Sequence, residues 1–236
     1  MSTALVTGAS VGLGRALSTA LAREGYRLVI DARGADRLGE ARRTLGAHTE
    51  VTAAVGDIAE PSHRAALAEA VAAEGRLDLL VHNASTLGPT PLRPLHQLTA
   101  GQLADIFAVN VVAPNELTRV LLPLLAASAG TVLAISSDAA ANAYETWGGY
   151  GASKAALDHL IGTWAVEHPA LSWYAVDPGD MRTEMHQAAF PGEDISDRPL
   201  PDDVVPALLR LVHERPPSGR YLARELLAEP LTTTQP

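Results

Sequence analysis

The chain contains no cysteine. Disulfides, thiolate catalysis and cysteine-ligated zinc are excluded before any motif is read. Lysine is almost as scarce: of the 18 basic residues, only Lys154 is a lysine. Aromatic residues make up 4%. No apolar run reaches the length of a spanning helix, the one at 120–127 being broken by Pro123. The N-terminus lacks the basic and long apolar segments that direct secretion, so the sequence reads as a cytoplasmic protein without a membrane partner. Its 27 acidic residues outnumber the 18 basic ones, giving a formal net charge of −9. Such a chain lacks the positive footprint of a nucleic-acid binder. Eight histidines are scattered without H-E-x-x-H or any other paired ligand spacing, which argues against a metal site.

What is present is a regular alternation of short apolar runs and longer amphipathic ones. The pattern predicts strands at 3–7, 27–32, 50–55, 77–82, 131–136, 171–176 and 220–222. Helices are predicted at 12–24, 36–45, 61–74, 150–167 and 202–214. A longer helix over 99–127, capped by Thr99, should be bent or interrupted by Pro114 and Pro123. Alternation of this kind implies a parallel sheet covered by helices on both faces, with ligands beyond the carboxyl ends of the strands. The expected organisation is one domain over 1–222. Residues 181–200, punctuated by proline and glycine, form a candidate substrate lid, and 223–236 form a tail of mixed polarity.

The first strand runs into Thr7-Gly8-Ala9-Ser10-Val11-Gly12-Leu13-Gly14. Glycines at this spacing allow a tight turn and close approach of a pyrophosphate to a helix N-terminus. Gly8, Ser10, Gly12, Leu13 and Gly14 are therefore candidate cofactor contacts. The second strand ends Ile30-Asp31-Ala32-Arg33. Asp31 is a candidate ribose acid of an NAD site. A small Ala32 followed by Arg33 instead leaves room for a 2′-phosphate and supplies a charged partner. NADP(H) is favoured over NAD(H) on that ground.

Tyr150 and Lys154 stand four residues apart at the start of a predicted helix, so phenol and ammonium share one face. A nearby cation favours the phenolate and lowers a pKa that is otherwise about 10. The pair suits general acid/base work on a carbonyl or alcohol oxygen. The other reading, a surface pair without chemistry, fits poorly with the only lysine of the chain.

With these features in order, the sequence resembles the short-chain dehydrogenase/reductase family, in its compact single-domain branch, from Thr3 to about Leu222. The resemblance implies a Rossmann-type, doubly wound α/β fold with a mainly parallel seven-stranded sheet and helices on both faces. It implies that Asp57 and Ile58 meet the adenine, and that Asn83 and Ala84 lie behind the nicotinamide ribose. Pro178, Gly179 and Thr183 look like the loop that contacts the carboxamide. Asn110 would hold a relay water, Ser137 would orient the substrate oxygen, and Tyr150 would exchange its proton. Lys154 would lower the pKa of Tyr150 and bind the ribose, a task for a compact, rotatable donor rather than a guanidinium. The chain departs from the family's common Asn-Asn-Ala-Gly in reading His82-Asn83-Ala84-Ser85. It also has Val11 where many NADP-using members carry a basic residue. Ser85, Tyr144, Trp147 and Met181 are candidate substrate contacts, in a pocket suited to a small or medium aldehyde or ketone. The expected activity is hydride transfer between NADP(H) and a carbonyl or alcohol substrate, in a homodimer or homotetramer. The alternative is a dinucleotide-binding sensor or scaffold that does no chemistry.

Overall fold

The computed structural model describes residues 1–228. Seven strands form one sheet: β1 (Thr3–Val6), β2 (Arg27–Ala32), β3 (Val51–Val55), β4 (Leu79–His82), β5 (Thr131–Ile135), β6 (Ser172–Asp177) and β7 (Gly219–Leu222). Their order is β3-β2-β1-β4-β5-β6-β7, and every pair is parallel. The order reverses between β1 and β4, where loops leave in opposite directions and open a crevice.

Successive residues on each strand feed opposite cores, as the pleat requires. On β1, Ala4 and Val6 pack into one apolar cluster and Leu5 into the other. On β5, Leu133 and Ile135 face the first cluster, Val132 and Ala134 the second. Helices α1 (Gly12–Arg23), α2 (Ala35–Leu45) and a later helix, Pro201–Glu214, cover the first face. The second is covered by α3 (Pro61–Ala73) and by two long helices further along the chain, Ala113–Ser128 and Gly148–Glu167. In α1 the stripe Leu13, Leu17, Leu21 repeats every fourth residue and is buried. Each such leucine contributes about 1.5–3 kcal/mol of transfer free energy.

The segment predicted as one helix over 99–127 is three. Thr99 caps α4 (Ala100–Phe107) with a full capping box to Gln102. A π-helical turn over Ala108–Val112 follows, then α5 (Ala113–Ser128). Pro114 has no N–H to give the carbonyl of Asn110 four residues back, and the ladder is reset there. Pro123, by contrast, lies inside α5 without ending it. Next comes α6 (Gly148–Glu167). The lid region contains a helix that the sequence pattern did not suggest, α7 (Glu184–Ala189), before α8 (Pro201–Glu214). The domain does not stop at 222: α9 (Ala223–Ala228) buries Ala223 and Leu226 against the first core. The rest of the expected tail, 229–236, lies outside the described residues.

Candidate active site

The glycine turn lies over the carboxyl end of β1, and its geometry explains the residue types. Gly8 and Gly12 have φ of +67° and +57°, in the left-handed region. A Cβ on Gly14 would lie 2.4 Å from Asn83 Nδ2 and 2.5 Å from the Gly8 carbonyl. Asn83 holds the turn from β4's end, donating through Nδ2 to the carbonyls of Thr7 (2.9 Å) and Gly8 (3.1 Å). Its amide nitrogen is thus engaged with the turn rather than turned to a ribose. The Thr7 hydroxyl accepts from the backbone N–H groups of Asn83 and Ala84 at 3.0 Å each.

Asp31, the candidate ribose acid, is corrected by its partners. It is buried, and Oδ1 accepts the Gly8 N–H at 2.8 Å while Oδ2 meets His63 Nε2 at 3.1 Å. Both carboxylate oxygens are committed to holding the turn. A Cβ on Gly56 would meet the His63 ring at 2.2 Å, so the glycine makes room for that histidine. Arg33 extends from the next loop, 74% exposed, with Asp57 Oδ2 at 4.0 Å. A surface pair at that distance holds the guanidinium weakly. Asp57 Oδ1 accepts the Ala59 N–H at 2.9 Å, and Ile58 is buried in the second core.

The stretch Gly8-Ala9-Ser10-Val11-Gly12 also spells G-x-S-x-G, the pattern of a hydrolase nucleophile elbow. No histidine is hydrogen-bonded to Ser10 among the described residues, so no triad forms there.

At the other end of the cleft, the catalytic candidates converge. Ser137 and Ser85 stand beside the Tyr150 hydroxyl and favour its ionised form, and Ser137 Oγ donates to Asp138 Oδ1 at 3.1 Å. Ser85 Oγ in turn donates to Asn110 Oδ1 at 3.1 Å. Asn110 is buried and its amide is saturated. Oδ1 also accepts the Thr86 N–H (2.9 Å), and Nδ2 donates to the Thr86 carbonyl and Ser153 Oγ (2.9 Å each). The side chain fixes the Ser85–Thr86 loop and has no position left for a water. Lys154 is fully buried, its Nζ 5.6 Å from the centre of the Tyr150 ring and donating to the Ile135 carbonyl at 2.7 Å.

The electrostatics here differ from the sequence expectation. Burial pushes the Tyr150 phenol up to about 12, opposed by the neighbouring Ser137 and Ser85 and reinforced by Asp177 and Asp138. Burial also pulls the Lys154 ammonium down to about 8, against the pull of Asp158. Desolvation penalises both charged forms, and here it outweighs the neighbouring cation. His82 on β4 is buried, bonded to Thr118 Oγ1 at 2.8 Å, and driven down to about 3 by burial and by Lys154. It is neutral at physiological pH.

Thr183 caps α7 by accepting the His186 N–H at 3.1 Å, which leaves its O–H free to donate. Leu87, Ala139, Trp147, Met185 and Ala188 pack around Tyr150 as an apolar wall. Trp147 meets Tyr150 edge-on at 5.7 Å and Phe190 at 5.8 Å. Tyr144 does not share this wall. It is 46% exposed, and its hydroxyl donates to Asp138 Oδ2 at 2.8 Å.

One cleft of about 1340 Å³ joins these parts, lined by Gly8, Ser10, Arg33, Asp57, Tyr150 and Thr183 among others. Leu13, Ile58, Asn83, Ala84, Ser85, Ser137, Trp147, Lys154, Pro178, Gly179 and Met181 line it too, while Gly14, Asn110 and Tyr144 do not. The cleft is large. Its volume exceeds that of ordinary small-molecule sites, about 300–1,000 Å³. The N-cap of α1, Val11, offers no side-chain acceptor to the first N–H groups of the helix, which suits an anion. Among the described residues, no cluster of ligands suited to a metal is found, and no helix is long and apolar enough to cross a membrane.

Comparison with known proteins agrees with this geometry. A family model described as short chain dehydrogenase matches residues 2–194. The oxidoreductase YciK of Escherichia coli K12 is 33% identical, covering 88% of this chain and 84% of its own. Mouse sepiapterin reductase is 33% identical, covering 78% of this chain and 76% of its own. A short chain dehydrogenase of Shigella flexneri 2a, solved as a complex with NADP, superposes with a TM-score of 0.88 at 29% identity. That superposition covers 94% of this chain and 97% of the other.

Proposed function

The chain belongs to the short-chain dehydrogenase family, and from that premise we propose that it is an NADP(H)-dependent carbonyl reductase or alcohol dehydrogenase with Tyr150 as its general acid/base. The carrying observation is the single cleft that joins the glycine turn to Ser137, Tyr150 and Lys154. When bound, the nicotinamide cofactor supplies or accepts the hydride. Ser137 and Tyr150 line the same cleft, where a substrate oxygen would accept from both hydroxyls once Ser137 turns from Asp138. Tyr150 holds the proton at neutral pH and gives it to that oxygen in reduction. The Lys154 ammonium stabilises the phenolate left behind. Two of its three donors are unused among the described residues and are available to the phenolate and a ribose hydroxyl. Because the Asn110 amide is saturated, a relay water at this residue falls to its backbone carbonyl. The Leu87, Trp147 and Met185 wall excludes water and suits an apolar ketone or aldehyde.

Arg33 supports NADP(H), because its guanidinium is weakly held at the end of β2 while Asp31 is committed elsewhere. A structural neighbour solved with NADP points the same way. Burying the only lysine beside a tyrosine disfavours a sensor without chemistry, which needs the cofactor turn alone. The exposed Val112 and Val120 near and on α5, and Val166 on α6, support a homodimer or homotetramer through those helices. The test is a thermal-midpoint titration with NADPH and with NADH, followed by turnover of a ketone panel by the wild type and by Tyr150→Phe. A larger shift with NADPH and turnover lost only in the variant are expected. Retained turnover in Tyr150→Phe would refute its role.

A further inference from the structure

We propose that Arg220 and Asp158 are positioning residues that hold the Lys154 ammonium and the Ser137 segment in their working arrangement. The inference rests on the catalytic reading of Lys154 and Ser137 given above.

Arg220 comes from β7, the last strand, and lies outside every motif of the sequence. Its Nε donates to Asp158 Oδ2 at 2.9 Å. Its Nη2 donates to the Ser137 carbonyl at 2.9 Å and lies 3.4 Å from Asp177 Oδ2. Asp158 Oδ2 also accepts from Ser136 Oγ at 2.8 Å. Asp177 Oδ1 accepts the Gly179 N–H at 2.9 Å. One guanidinium therefore ties together three segments: the end of β5 that carries Ser137, the helix that carries Tyr150 and Lys154, and the turn after β6 at Pro178–Gly179. A planar fork can make these contacts together, and a lysine cannot.

Asp158 stands one helical turn beyond Lys154 on the same face. Its Oδ1 is buried without a hydrogen-bond partner, and burial pushes the carboxyl upward against Ser136, Arg220 and Lys154. An asparagine would offer Ser136 and Arg220 the same acceptor position without the charge, and so a weaker bond to Arg220. The charge is paired directly with the Arg220 guanidinium, and it also raises the buried ammonium of Lys154. The other titratable or charged groups on α6 or on elements packed near Lys154 are Tyr150, His159 and Glu167 on α6, His82 on β4, Asp105 on α4, Asp138 after β5, Tyr174 and Asp177 on β6, and Arg220 with Tyr221 on β7. His82 is neutral, and Asp158 is the charge that raises Lys154. Removing Arg220 takes away a cation that competes for Asp158 and repels the Lys154 ammonium, so it should move Lys154 in the opposite direction to removing Asp158.

Lys154 is the only lysine in the chain, so protein labelled with 13Cε/15Nζ-lysine gives a single lysine side-chain resonance. We would titrate it in the wild type, Asp158→Asn and Arg220→Met, and record the kcat–pH profile for NADPH-driven reduction of an aromatic ketone. The wild-type midpoint is expected near 8. Asp158→Asn should move it to lower pH by about 1 unit, Arg220→Met should move it to higher pH, and the basic limb of kcat should move with it in each variant. Should Arg220→Met not fold, the isosteric Asp158→Asn decides. An unmoved resonance in Asp158→Asn overturns the proposal, as does a moved resonance with an unmoved kcat limb. The resonance needs no substrate. A wild type inactive on every ketone would thus count against the function proposed above, and the midpoint would still decide the hold of the pair on Lys154.

Discussion

Replacing Lys154 by methionine is expected to stabilise the fold at neutral pH, or leave it unchanged, while removing turnover. Burial lowers the ammonium from 10.5 to about 8 in the folded chain. The unfolded chain therefore binds the proton more tightly, and wild-type stability rises with pH across the window from about 8 to 10.5. Below that window the penalty is complete. The difference 10.5 − 8 = 2.5 units, at 1.36 kcal/mol each, is about 3 kcal/mol. Methionine keeps an unbranched side chain without the charge, but it strands the Ile135 carbonyl that Nζ satisfies. That costs about 1–3 kcal/mol at every pH. The net effect at pH 7 is about 0–2 kcal/mol in favour of the variant. The pH-dependent part is cleaner, because groups that titrate alike in both proteins cancel in the difference. Urea unfolding at pH 7 and pH 10 should show the advantage of the variant falling by about 2–3 kcal/mol. A difference that does not change with pH, or that grows as pH rises, would refute the buried-ammonium argument.

Arg33→Ala should weaken NADPH binding about 10–100-fold and leave NADH binding unchanged, as read by fluorescence titration, since one charge-assisted partner is worth about 1.5–3 kcal/mol. Equal losses for both cofactors would assign the arginine a role other than the 2′-phosphate. Gly14→Ala should cost about 1–3 kcal/mol in stability and at least tenfold in NADPH affinity, because its Cβ overlaps Asn83 and the Gly8 carbonyl; urea unfolding and the same titration read both effects. Ketone reduction should hold steady from pH 6 to 7.5 and fall as pH rises through about 8, where Lys154 loses its proton; a kcat flat to pH 9.5 would contradict this.

The sheet was legible because both of its faces are covered. Runs such as 79–81 and 132–135 are apolar throughout, a pattern that a half-exposed strand does not show. Helix α7 was not legible, because six residues bury no stripe and leave no period to read. The break at 108–112 was legible through Pro114, but Pro123 marked no break. A proline signal gives the missing N–H and not whether packing tolerates the loss. At the site, residue identity was legible and partnership was not. Asp31 stands where an acid suits a ribose, yet a glycine N–H from the next turn and a histidine from α3 claim it. Arg220 and Asp158 lie 62 residues apart and share no motif. The lowered Tyr150 pKa was inferred from a neighbouring charge, which spacing shows, whereas desolvation, which spacing does not show, sets its direction.

The polar groups of the cleft divide into those saturated by the protein and those with capacity left. Asp31, Asn83 and Asn110 are held by backbone or side-chain partners, and they shape the turn and the Ser85 loop. The Thr183 O–H, two Lys154 donors and the weakly paired Arg33 are not so engaged among the described residues. These three sit at different stations of one cleft, and each offers hydrogen to an acceptor. A ligand that satisfies all of them must carry acceptors along its whole length, including an anionic group near Arg33. A dinucleotide with a 2′-phosphate has that distribution. The saturated groups therefore set the shape of the cleft, and the unsaturated ones set its chemistry. This division explains why the asparagines tolerate burial at no polar cost while Lys154, buried with two donors unused among the described residues, carries a desolvation penalty.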